Sequence, residues 1–147
     1  MKNVLISACL LGLPTRYDGK AKSYPDIDGL REKYNLIPFC PEIYGGLSTP
    51  RVPAERVADR VMTKDGRDVT EEYKRGAKAA LDTALALGCS VAILKEGSPA
   101  CGSHRIYSGS FDGVKVGGMG VAAELLSKSG IRVISELEID SFLKENK

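Results

Sequence analysis

Four short apolar runs alternate along this chain with segments of helical period, and that alternation constrains the fold more than any other feature. Residues 3–8, 36–39, 90–94 and 131–134 are continuous apolar stretches with a β-branched share, the pattern of strands covered on both faces. Between them, residues 26–34 place Ile27, Leu30 and Tyr34 at helical spacing, and residues 69–88 put Tyr73, Ala77, Ala80, Leu81, Ala84 and Leu85 on one face. Asp68 and Glu71 form a capping-box start for that longer helix, and Gly88 supplies its stop. A helix over 120–129 carries Val121, Leu125 and Leu126 inward, and Ser135 with Glu138 caps a last one bearing Ile139, Phe142 and Leu143. Strands alternating with helices predict an α/β fold with a mainly parallel sheet flanked by helices.

Two insertions break the rhythm. Residues 41–68 contain Pro41, Pro50 and Pro53, and Asp65-Gly66 predicts a hairpin turn joining 60–63 to 67–70. Residues 96–118 are glycine-rich, and Asp112-Gly113 predicts a second hairpin. Irregular stretches of this length are usually functional. Neither repeat nor linker is visible, so residues 1–147 read as a single domain.

With 21 Lys and Arg against 19 Asp and Glu, the net charge is +2, which gives no drive toward nucleic acid or an anionic membrane surface. The apolar N-terminus superficially resembles a secretory signal. Its run before Cys9 falls short of the roughly 7–15 apolar residues such a signal needs, and Thr15-Arg16-Tyr17-Asp18 follows where a cleavage site would stand. A cytoplasmic location is therefore expected, where four Cys point to burial, metal binding or catalysis before disulfides. A single His rules out a His-rich metalloenzyme.

Three of the cysteines share one kind of position. Cys9 ends the first strand, Cys40 ends the second, and Cys101 lies in the loop leaving the third. In an open parallel sheet all strand C-termini share one edge, where ligands bind at the switch point, so these distant residues can converge. Cys89 precedes the third strand, on the opposite edge, and reads as a small buried hydrophobe. Three thiolates without a fourth describe a metal site with one open position, as in catalytic rather than structural zinc. His104, in a Cys-x-x-His spacing, is the candidate fourth ligand.

Several motifs occur in order: Ser7-Ala8-Cys9-Leu10-Leu11-Gly12, Arg16-Tyr17-Asp18-Gly19, Cys40-Pro41-Glu42 followed by Gly45-Gly46-Leu47, Pro50-Arg51, Pro53-Ala54-Glu55, Asp68-Val69-Thr70, Ser98-Pro99-x-Cys101-Gly102 and Gly120-Val121-x-Ala123-Glu124. Together they resemble the small 2-thiouracil desulfurase family over nearly the whole chain. The resemblance implies a Rossmann-like α/β domain holding a [4Fe-4S] cluster through Cys9, Cys40 and Cys101, with the fourth iron free for a thiocarbonyl sulfur. It places acid/base and positioning roles on Glu42 and Ser98, and a small thiolated heterocycle as the partner. The implied reaction replaces C=S by C=O without net electron transfer: Glu42, tuned by burial, deprotonates a water that Ser98 orients. Asp18, Gly118 and Gly120 are candidates for substrate binding, the glycines through backbone N–H groups at a helix start. Read without the family, Glu42 is a loop carboxylate, and Asp18 and Ser98 are turn formers. Arg16 and Arg51 either touch substrate or pair with carboxylates. The family pattern usually carries Ser where this chain has Ala100, which bears on substrate preference. Two other classes stay open: a sulfur-carrying or scaffolding module without turnover, and a zinc hydrolase built on Cys9, Cys40 and Cys101 or His104.

Overall fold

The computed structural model describes residues 1–19 and 27–145. Its centre is a parallel four-stranded sheet in the order β2-β1-β5-β8, formed by β1 (Lys2–Ser7), β2 (Tyr34–Phe39), β5 (Val91–Leu94) and β8 (Arg132–Ser135). Between these strands the chain forms α1 (Ile27–Lys33), α2 (Pro41–Tyr44), β3 (Ala54–Val57), β4 (Arg60–Thr63), α3 (Thr70–Ala86), β6 (Arg105–Tyr107), β7 (Lys115–Gly117) and α4 (Val121–Lys128), and α5 (Ile139–Glu145) follows β8. The expected mixed α/β architecture is present.

Strand alternation sorts the core into two layers. Leu5, Ala92 and Leu94 face Tyr73, Ala80 and Ala84 of α3 and Ala123 and Leu126 of α4. Val4, Ile6, Ile93 and Ile134 face Ile27 and Leu30 of α1 and Ile139 and Phe142 of α5. Both faces are covered, which is why the strands read as continuous apolar runs rather than alternating ones. Pro38 sits inside β2 because β2 is an edge strand, where a missing N–H breaks no ladder.

Three local expectations are corrected. Tyr34 is the first residue of β2, not the last of α1: it pairs with Lys2, and its ring stacks on Phe142 at 5.4 Å. Asp26, the predicted first residue of that helix, lies outside the described residues. The hairpin around residue 60 joins β3 to β4, turning at Ala58 with a φ of 51°. The turn expected at Asp65-Gly66 forms as well: the Gly66 N–H donates to the Thr63 carbonyl at 3.0 Å. Residues 67–69 return along the other edge of β4 through Thr63 N–H to the Arg67 carbonyl at 2.8 Å and Val69 N–H to the Val61 carbonyl at 2.9 Å, a single antiparallel bridge rather than a full strand. The predicted capping box at the start of α3 is not formed: Val69 is the cap residue, and Asp68, one residue earlier, accepts from the Thr70 N–H at 2.9 Å through Oδ1. The other capping box, Ser135 with Glu138, is complete, but the turn it opens is a 3-10 turn, Glu136–Glu138, leading into α5. The β6–β7 hairpin forms as expected around Asp112-Gly113.

One packing contact positions the chemistry described next. α2 lies so close to α3 that a Cβ on Gly76 would stand 1.8 Å from the Pro41 carbonyl oxygen, and one on Gly45 would stand 2.0 Å from that of Glu72. Gly in a helix interior costs about 1 kcal/mol relative to Ala, and here the close approach of two backbones requires it. Among the described residues, no helix is long and apolar enough to cross a membrane.

Candidate active site

β1 lies between β2 and β5, so the chain reverses its direction of winding beside β1, and a crevice opens there at the C-terminal edge of the sheet. Three cysteines meet in it. A 3-10 turn, Ala8–Leu11, follows β1 and carries Cys9. Cys40 is the cap residue of α2, where Pro41 bars further strand pairing and starts the helix. Cys101 is buried in the loop beyond β5. All three line one cavity of about 320 Å3, within the ~300–1,000 Å3 range of small-molecule sites. Cys89 is buried at the opposite edge and does not line the cavity.

The thiols feel one another. Burial pushes Cys9 from 9.0 up to about 11; neighbouring Cys40 adds to the rise and Lys95 opposes it. Burial also raises Cys40, against a hydrogen bond from the Ile43 backbone. Cys101 is raised furthest above its ordinary value by burial, with Glu42, Cys40 and Cys9 adding to it and a hydrogen bond with the Ser7 hydroxyl opposing it. Among the described residues, no three His, Cys, Asp or Glu side chains gather closely enough to hold a single metal ion. The donors that share this cavity are three thiols, a soft set suited to a thiophilic metal group.

Glu42, in the first turn of α2, also lines the cavity. Its Oε2 accepts from Arg51 Nε at 3.2 Å and from the Tyr73 hydroxyl of α3. Its Oε1 accepts from Ser98 Oγ at 3.4 Å. Arg51, with its side chain only 7% exposed, also donates to the Thr15 and Ser48 carbonyls, tying two loops to this carboxylate. Burial together with Glu42 raises the Tyr73 phenol far above its usual range, which keeps it a donor. Ser98 is both a turn former and a cavity residue: its Oγ accepts from the N–H groups of Ala100, at 3.0 Å, and Cys101, at 3.2 Å.

Other sequence candidates fall outside the cavity lining. Asp18 pairs with Arg16 at 3.4 Å, and Arg16 and Tyr17, not Asp18, form part of the wall. The Gly118 N–H is taken by the His104 carbonyl at 3.0 Å, and that of Gly120 by Gly102 at 2.7 Å. A Cβ on Gly120 would stand 2.3 Å from the Ala100 carbonyl carbon, so this glycine lets α4 dock on the Cys101 loop. Ala100 is buried beneath that contact and lines no part of the cavity, so the missing hydroxyl does not alter the wall. His104 is largely exposed, with Nε2 2.8 Å from Glu138 Oε1, and it too is absent from the wall.

This arrangement of thiols and one held carboxylate can be set beside known proteins. A family model described as 2-thiouracil desulfurase matches residues 4–138. The chain belongs to the 2-thiouracil desulfurase family. A Bacillus subtilis (strain 168) protein, described as uncharacterized protein YbbK, is 42% identical over 150 residues, covering 95% of this chain and 99% of that one. A solved structure of a [4Fe-4S]-dependent thiouracil desulfidase, TudS, is 48% identical and superimposes with a TM-score of 0.91, covering 96% of this chain and 95% of the other.

In this family member the sequence pattern left two contributors unseen. Tyr73 reads as one more apolar residue on the inner face of α3. Its signal was chemical: a buried Tyr, unlike Phe or Leu, needs a partner for its hydroxyl. Ser7 reads as the end of a strand, yet it is buried, and its Oγ accepts from the Lys95 N–H at 2.9 Å beside Cys101.

Proposed function

We propose that this chain is a desulfurase of small thiolated pyrimidines such as 2-thiouracil, working with a [4Fe-4S] cluster held by Cys9, Cys40 and Cys101. The observation that carries the reading is the convergence of three thiols and Glu42 on one cavity at the switch point of the sheet. Three thiols lining one cavity supply the soft donor set that an iron–sulfur cluster takes. When bound through three thiolates, such a cluster supplies an iron without a protein ligand, a soft Lewis acid toward thiocarbonyl sulfur.

The net change, C=S and water to C=O and hydrogen sulfide, moves no electrons between reactants and needs no external oxidant or reductant. The protein must therefore manage one water and its protons. Arg51 and Tyr73 hold Oε2 of Glu42, which aims Oε1 toward Ser98 and the cavity. Glu42 Oε1 takes the proton of the attacking water, and the Ser98 hydroxyl, whose proton is donated to Oε1, orients that carboxylate oxygen toward it. The zinc-hydrolase reading loses its fourth ligand, since His104 is paired with Glu138 away from the wall.

The test is anaerobic purification followed by iron and acid-labile sulfide analysis, then incubation with 2-thiouracil. The expected result is about four of each per chain, with loss of the thiocarbonyl absorbance and appearance of sulfide. A colourless protein carrying one zinc would overturn the cluster. A brown protein that leaves thiouracil intact would overturn the catalytic reading in favour of a carrier.

A further inference from the structure

The loop that carries Cys101 has no regular secondary structure between the end of β5 and the start of β6. Something other than a helix or sheet ladder must fix its backbone, and one side chain does much of this. Glu96 Oε1 accepts from four backbone N–H groups: Gly97 at 3.3 Å, Ser103 at 2.8 Å, His104 at 3.1 Å and Arg105 at 3.2 Å. Its Oε2 accepts from the Ser103 hydroxyl at 3.3 Å. Successive N–H groups converging on one oxygen make the concave anion site found in backbone nests, here filled by a tethered carboxylate. Burial works to raise the Glu96 carboxyl, yet these amides bring it below its usual range.

Glu96 is itself anchored. Its N–H donates to Glu136 Oε1 at 2.8 Å, its carbonyl accepts from Lys95 Nζ at 3.1 Å, and Glu136 Oε2 pairs with that same Nζ at 2.8 Å. The grip therefore runs from the β8 end of the sheet, through Glu96, to the residues immediately after Cys101. On the near side of the cysteine, Ser98 holds the Ala100 and Cys101 amides.

We propose that Glu96 is a positioning residue that sets the direction of the Cys101 thiol by gripping the amides of residues 103–105. This rests on the reading of Cys101 as a cluster ligand. A ligand whose loop is free to move is displaced more readily from iron, so the grip governs retention of the cluster as well as the shape of the cavity.

Glu96→Gln keeps an oxygen acceptor at the same reach, Glu96→Asp keeps the charge but falls one methylene short, and Glu96→Ala removes both. Each is compared with the wild-type chain by amide hydrogen exchange over residues 97–105 in cluster-free protein, and by the rate of iron loss to a chelator from loaded protein. The expected result for Glu96→Ala and Glu96→Asp is exchange at 103–105 and iron loss faster by at least ~10-fold, with Glu96→Gln close to wild type. If Glu96→Ala fails to fold, Glu96→Asp carries the test. Wild-type exchange and iron loss in the Asp variant would overturn the proposal. A wild-type protein that binds no iron would count against the cluster reading instead, and the exchange rates would still decide Glu96.

Discussion

The two edges of the sheet hold cysteines of nearly equal solvent exposure but unequal depth, Cys89 just beneath the surface and Cys101 far below it, and of opposite character. Cys89, at the N-terminal edge, is 4% exposed, and burial alone raises its thiol. Cys101, at the C-terminal edge, is 5% exposed, but its thiol also answers to Ser7, Glu42, Cys40 and Cys9. Low solvent exposure alone therefore does not mark a functional cysteine. What separates the two is the company that topology provides: strand C-termini share an edge, whereas Cys89 enters its strand from the end of a helix.

Substitution at each edge is the strongest way to break this comparison. Changing Cys9, Cys40 or Cys101 to Ser should drop iron content and thiouracil turnover to background, while Cys89→Ser leaves both unchanged. Equal iron loss from Cys89→Ser and Cys101→Ser would erase the distinction. Next in size is Glu42→Gln, expected to lower turnover by roughly 100- to 10,000-fold with iron retained, the usual range for a general base. Full turnover in that variant would remove Glu42 from the chemistry.

A pair of glycines sharpens the comparison through stability. Gly76→Ala drives a Cβ into the Pro41 carbonyl and should cost about 1–3 kcal/mol in a denaturant titration while lowering turnover, because α2 carries Glu42. Gly88→Ala, at the other edge, has open space and only its φ of 66° to contend with. It should cost about 1 kcal/mol and leave turnover alone.

The smallest effect is in pH. In cluster-free protein Cys9 keeps its proton up to about pH 11, whereas an unfolded thiol loses its own near 9.0. Between those values the folded form binds more protons than the unfolded one, so stability is full below pH 9 and declines as pH rises toward 11. Thermal melts across that window, with alkylation of Cys9 followed by peptide mass, check the direction. A Cys9→Ser variant should lessen the slope without abolishing it, because Cys40, Cys89, Cys101 and Tyr73 are raised as well.

The layered fold was legible because both core faces leave continuous apolar runs, and the edge shared by Cys9, Cys40 and Cys101 followed from strand order. Boundaries were less so. Tyr34 satisfies a helical period and a strand equally, and its stacking on Phe142, more than a hundred residues away, decides between them. Asp65-Gly66 makes the turn its chemistry announces, but a second turn at Ala58, with a left-handed φ that its side chain does not advertise, adds β3 to the other edge of β4. At the site, Glu42 and Ser98 came from family resemblance, while Tyr73 showed only as a polar group on an inward helix face and Glu96 grips its own loop with no turn motif to announce it.

The strand order β2-β1-β5-β8 also imposes a timetable on the newly made chain. Cys9 and Cys40 leave the ribosome early and belong to neighbouring strands, so they can be adjacent long before the third thiol exists. Cys101 joins them only once β5 has been laid against the far side of β1, and its loop is braced by Glu136, near the C-terminal end of the described chain. Closing such long parallel connections is slow. A finished pocket therefore needs the chain as far as Glu136, and the proposed cluster has no complete seat before those residues are in place.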